Sequence, residues 1–165
     1  MGMLGQNGVL AMVQPAGFLY NQNALGFRQA FLKQWRVREL LDFVSVRGMF
    51  KKGNVDPKIV VVIAEATRTE PDSRILHAVF RRNGRATAEQ GFDIDYYDVH
   101  WIRNADAETS RDVWRANLLG GARARALIER LRAFPTLGAH AEEKGWNAGE
   151  GYLGGKRTPL GMSHT

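Results

Sequence analysis

The stretch that most narrows what this chain can fold into is "KIVVVIA", Lys58 to Ala64. Its β-branched side chains favour a strand over a helix. A strand that is apolar at every step, not at every second one, is the kind that a sheet covers on both faces. The run therefore predicts an interior strand, and the flanking patterns supply its neighbours. "GVLAMVQP" offers a glycine turn, five apolar residues from Val9 to Val13 and a closing Pro15, which predicts a second strand covered on both faces. "VRELLDFV", Val37 to Val44, is a third, more mixed candidate. Between these two, Phe27, Phe31 and Trp35 recur at helical spacing within Ala24 to Trp35, so a helix is expected with that stripe in the core. Strand, helix, strand, loop and central strand is α/β patterning, in which ligands gather at strand ends.

Beyond Glu65, "RILHAVFRR" reads as a strand, and so does "FDIDYYDVHWI", where Phe92, Ile94 and Tyr96 alternate with Asp93, Asp95 and Tyr97. The two are expected as a hairpin or sheet extension. Leu127, Ile128, Leu131 and Phe134 mark one face of a helix that starts near Gly121 and stops at Pro135, with Arg123, Arg125, Arg130 and Arg132 around the rest. From Gly145 onward glycine dominates and irregular structure is expected. A division near Asn104 to Asp112 is expected, giving residues 1–104 as one body and 105–165 as a connector helix leading into a partly irregular region.

At 165 residues and 44% hydrophobic content the chain can form a sizeable core. It has no cysteine, which excludes disulfides, zinc–thiolate sites and thiol nucleophiles. No membrane-spanning run occurs and Met1 to Leu10 lacks the charged start of a secretory signal, so a cytoplasmic protein with no membrane partner is expected. The net charge of +6 is uneven: residues 1–63 hold eight Lys/Arg against three Asp/Glu, whereas the remainder is nearly balanced. That excess suits a polyanion. The motifs of common chemistries are missing or misplaced. Gly149, Gly151 and Gly154 fit G-x-G-x-x-G without a preceding strand, and Gly2, Gly5 and Gly8 precede a strand where a phosphate loop would follow one. His77, His100, His140 and His164 have no metal-ligand spacing and read as surface or packed residues. Asp93, Asp95 and Asp98 fit a solvated strand face better than a carboxylate site.

Phe50 differs, because Gly48, Lys51, Lys52 and Gly53 make it a loop aromatic among cations at the entry to the central strand. A flat ring so placed can stack on an unstacked base, although a packed loop phenylalanine fits the composition equally well.

Three stretches, "GVLAMVQPAGFLYN", "FRQAFLKQWRVRELLDF" and "MFKKGNVDPKIVVVIAEA", together resemble the carboxyl-terminal half of the catalytic domain of N-6 adenine-specific DNA methyltransferases, as in type I modification subunits and fused restriction-methylation enzymes. "LIERLRAFPTLG" and "GWNAGEGYLGG" resemble, more weakly, the connector toward target recognition in the fused members. The resemblance implies an α/β fold: the fifth to seventh strands of a Rossmann-like class I methyltransferase sheet, with the seventh strand between the fifth and sixth, then a β-rich extension and a C-terminal helix. It implies that Phe50 stacks on an adenine extruded from the duplex. By the same comparison Gln14, Pro15 and Phe18 border the target pocket, and Lys51, Lys52 and Lys58 meet DNA phosphates.

The family's cofactor, S-adenosylmethionine, is cradled by a glycine-rich loop after the first strand. The adenine amino group is held by an Asn/Asp-Pro-Pro-aromatic tetrapeptide after the fourth. Neither is in this sequence, which has no Pro-Pro pair, so no catalytic residue is assigned and Met1 is expected to fall inside the parent domain. The chain is then expected to need DNA and a complementary upstream half or a specificity or restriction subunit, with Val9 to Val13 left as an apolar edge. Two other readings are a non-catalytic DNA-binding or specificity module and an inert remnant.

Overall fold

The structure, a computed structural model, describes residues 4–5, 7–46, 56–70, 72–81, 92, 94–110 and 112–146. Its compact units are 1–129 and 130–165. The first holds a five-stranded, mostly antiparallel sheet in the order β1-β3-β2-β4-β5, formed by β1 (Val9–Pro15), β2 (Arg36–Asp42), β3 (Ile59–Glu65), β4 (Arg74–Val79) and β5 (Val99–Arg103). Helices α1 (Gly17–Tyr20), α2 (Leu25–Gln34), α3 (Asn104–Thr109) and α4 (Val113–Leu119) accompany it. The fold is mixed α/β as expected. The helices α3 and α4 fall within the first unit.

The apolar run occupies the interior position its sequence predicts. β3 pairs antiparallel with β1 from Val9↔Glu65 to Pro15↔Ile59, and antiparallel with β2 from Arg36↔Glu65 to Asp42↔Val60. The order that the resemblance implied for its fifth, seventh and sixth strands is the order of β1, β3 and β2. A bulge between Val37 and Glu39 gives β2 one extra residue. Arg36 and Arg38 both reach Glu65, at 3.4 and 3.1 Å. β2 continues in parallel to β4, and β4 and β5 form the expected antiparallel pair.

The expectation that β1 and β3 are covered on both faces is corrected. Val60, Val62 and Ala64 are fully buried, whereas Ile59, Val61 and Ile63 are only half-buried. On β1, Val9 and Val13 are 53% and 62% exposed. One face of the sheet is covered, with Leu40, Val60, Val62 and Ile75 packing against Leu19, Phe31, Leu32 and Trp114 of the helices. The opposite face has no helical layer among the described residues. An apolar sequence records a capacity for burial, and a second layer has to be present to use it.

Two further expectations are corrected. The buried side of α2 is Arg28, Phe31 and Leu32, while Phe27 is 64% exposed, because the helix begins at Leu25 with a phase that turns Arg28 inward. There the Arg28 Nη1 donates to the Phe18 carbonyl at 2.7 Å, and burial lowers the guanidinium's pKa. Residues of "FDIDYYDVHWI" do not form one alternating strand: Tyr96–Asp98 is a 3-10 turn, and among the described residues the strand begins at Val99. Asp95 accepts from the Tyr96 amide, and the buried Asp98 takes the Arg81 Nε at 2.6 Å, so local capping outcompetes extension. As expected, a helix, α5 (Ala122–Leu131), forms after Gly121; Leu127, Leu131 and Phe134 are exposed.

In the second unit, α6 (Leu137–Glu143) starts on Thr136, whose Oγ1 accepts from the Ala139 amide at 3.1 Å. It is followed by Gly145 at φ +67°, and the Trp146 ring meets His140 edge-on at 5.7 Å. No helix among the described residues is long and apolar enough to cross a membrane.

The end of α4 supplies a sharp test of this packing. Gly121 has φ +64°, and a Cβ there would lie 2.7 Å from the His100 Cε1 and 3.1 Å from its Nδ1. Replacing Gly121 with Ala should cost about 1–3 kcal/mol from backbone strain and displacement of the imidazole. Urea denaturation measures it, and an unchanged midpoint would contradict the geometry.

Candidate nucleic-acid interface

The cleft most relevant to the expected site opens where β1 ends, β2 ends and β3 begins. It has a volume of about 510 Å³ and is lined by Pro15, Tyr20, Val44, Lys58, Arg115 and Leu119 among others. Chain direction explains its position: β1 and β2 both run toward this end, and β3 starts there on its way back. Backbone hydrogen bonds close the rim, with the Ala16 amide donating to the Lys58 carbonyl at 2.8 Å and the Phe43 amide to the Ile59 carbonyl at 3.2 Å.

Of the expected site residues, the structure brings two into this cleft, Pro15 and Lys58. Gln14 lies one residue earlier on β1, half-buried opposite Val60. Phe18 is a core residue whose ring meets Phe27 and Phe31 edge-on at 6.0 and 5.7 Å. Phe50, Lys51 and Lys52 lie outside the described residues, although Val44 and Lys58, which line the cleft, flank their segment in sequence. Arg115 was not anticipated. It comes from α4, and its Nη2 donates to the Tyr20 carbonyl at 3.4 Å. Among the described residues the cleft thus carries two cationic side chains and no carboxylate, a donor set that suits an anion.

Beneath the cleft lies a polar chain that sequence reading missed. The Asp42 side chain is fully buried at the end of β2. It accepts from the Tyr20 hydroxyl, from the Val44 amide at 2.9 Å, and from His77, whose Nε2 is 3.3 Å away. His77 is itself fully buried, with its Nδ1 3.2 Å from the Asn117 Nδ2 and its ring edge-on to Trp114 at 5.3 Å. One tautomer satisfies both ring contacts, with Nε2–H donating to Asp42 and Nδ1 accepting from Asn117. Burial, reinforced by the Asp42 carboxylate and the hydrogen bond to it, pushes the Tyr20 phenol far above its usual range and keeps it a donor. These four residues are scattered from 20 to 117, so no spacing could reveal them. A buried network of this kind fixes the floor of the cleft.

Two measurements test this description. Asp42→Asn replaces an acceptor oxygen by a donor amide facing three donors, and should cost about 2–4 kcal/mol in urea unfolding, against about 1–2 kcal/mol for Tyr20→Phe. The second is a pH effect. Burial, followed by His77 and Arg81, holds His100 below the usual histidine range. The unfolded chain therefore binds its proton first, so this contribution to stability is intact above about pH 6.5 and is lost as pH falls below it. Between about pH 7.5 and about pH 5, His100→Gln should show a shallower fall in melting temperature than the parent chain; an equal fall would exclude His100 as a source.

No family model and no curated protein matches this sequence. Among solved structures, one described as "Structural basis underlying complex assembly and conformational transition of the type I R-M system" contains a chain that aligns with 86% of this one at 14% identity, with a TM-score of 0.49. The present chain spans 36% of that chain's length.

Proposed function

We propose that this chain is the carboxyl-terminal part of the catalytic domain of a site-specific DNA adenine methyltransferase of the restriction-modification kind, with a partial Rossmann-like sheet. One observation carries the reading: β3 runs antiparallel between β1 and β2, which is the strand order implied by the resemblance of the same stretches of sequence. The segment bearing Phe50 connects two of these strands in sequence, and its described flanks, Val44 and Lys58, line a cleft with two cations and no acid among the described residues. In this reading Phe50 stacks on the extruded adenine, Pro15 borders the pocket, and Lys58, with Lys51 and Lys52, meets phosphates.

The described residues do not fit S-adenosylmethionine. Its sulfonium is cationic, whereas the cleft presents Lys58 and Arg115 without a carboxylate. The cofactor and the adenine amino group are therefore assigned to a polypeptide segment carrying the glycine-rich loop and the Pro-Pro tetrapeptide. That segment would also cover the outer edge of β1, where Val9 and Val13 face solvent.

The purified chain is expected to transfer no methyl group from S-adenosylmethionine to DNA, and to do so when co-expressed with such a segment. Phe50→Ala should then lower the restored rate about five- to hundredfold, the worth of one stacked base. Methylation by the chain alone, or restored activity indifferent to Phe50→Ala, would refute the assignment. The cationic cleft equally supports a second reading, a DNA-binding module without chemistry. Salt-sensitive DNA binding with no restored activity and no response to Phe50→Ala would favour it.

A further inference from the structure

The two edges of the sheet are β1 and β5, roughly 19 Å apart at four strand spacings. The β5 edge carries a second cleft, of about 640 Å³, that shares no lining residue with the first. Among the described residues, Arg74, Arg103 and Arg125 line it, with Asp106 as the one carboxylate. The Arg103 guanidinium donates twice to Asp106, at 3.1 and 3.2 Å, and Arg125 approaches the same carboxylate at 3.8 Å. One acid thus holds two guanidinium groups in place. Arg74 stands opposite Arg103 in the β4–β5 register and has no carboxylate partner among the described residues. The side chains leave the cleft with an excess of two positive charges.

Two aromatic rings also line this cleft. Trp101, on β5, is 63% exposed, and Tyr96, in the turn before it, is 85% exposed. An indole left in water beside fixed guanidinium groups forgoes the burial that its area offers. A small inorganic anion would use the arginines and leave the rings idle, and an apolar helix would do the reverse. A strand with unpaired bases uses both, since each base has a flat face to stack and each linkage a phosphate.

We propose that the β5-edge cleft binds single-stranded nucleic acid, with bases stacked on Trp101 and Tyr96 and phosphates held by Arg74 and Arg125. The proposal stands apart from the methyltransferase reading, because it uses none of that site's residues.

The test is the affinity of the full chain for a labelled oligothymidylate at low salt, by fluorescence anisotropy. Trp101→Ala should weaken binding about five- to hundredfold, while Trp101→Phe, which keeps a stacking ring, should stay within about threefold of the parent. Arg74→Gln should reduce the slope of log affinity against log salt by about 0.7, the worth of one single-strand phosphate contact. Should Trp101→Ala fail to fold, Tyr96→Ala carries the same measurement on a side chain that is almost fully exposed. Unchanged affinity in a folded Trp101→Ala or Tyr96→Ala variant overturns the proposal. Failure to bind the oligonucleotide, or binding no tighter than to heparin, overturns it too.

Discussion

Everything in the first unit depends on β3 being hydrogen-bonded along both sides. Its seven residues pair with β1 on one flank and β2 on the other, both antiparallel, so one ribbon fixes two neighbours that are never consecutive to each other in the sheet. Because β3 returns against two strands pointing the same way, the ends of β1 and β2 and the start of β3 meet at one place. The cleft with Lys58 and Arg115 is a consequence of that reversal. A simple meander would have scattered these ends.

The second constraint is the buried Asp42. A carboxylate withdrawn from water is costly unless donors surround it, and here a phenol, a backbone amide and an imidazole do so. These donors come from α1, the turn after β2, and β4, so the polar contact ties a helix and two strands to one point below the cleft. His77 extends the tie to Asn117 on α4, the helix that also presents Arg115. Satisfying one buried acid therefore orients the elements that line the cleft. Among the described residues the sheet's other face has no comparable device: its half-buried Ile59, Val61 and Ile63 gain little there, and a further layer would gain the rest.

The elements themselves were legible wherever period and punctuation agreed. Strands were expected at Val9 to Val13 closed by Pro15, at Val37 to Val44, at Lys58 to Ala64 and in "RILHAVFRR", and they form at Val9–Pro15, Arg36–Asp42, Ile59–Glu65 and Arg74–Val79, because apolar runs bounded by turn residues leave few alternatives. Legibility failed where local chemistry competed. Asp95 and Asp98 capped a turn in what read as alternation, and Phe27 was assigned to a stripe that the helix rotates outward in favour of Arg28. Lys58 and Pro15 entered the candidate site only through what the resemblance implies, and both line the cleft at the strand ends. Tyr20, Asp42, His77, Asn117 and Arg115 could not be placed there, since nothing in a linear chain says which distant polar groups will meet.

The sequence by itself determined that this chain builds a sheet around an aliphatic ribbon, carries its positive excess early and lacks the motifs of thiol and metal chemistry. Those are properties of side-chain shape, charge and absence, which do not depend on the path of the chain. The tertiary structure decided which face of the ribbon is covered, which arginines share a cleft, and which carboxylate is enclosed by donors. Those depend on register and crossing, and a few residues of shift would redistribute every one of them.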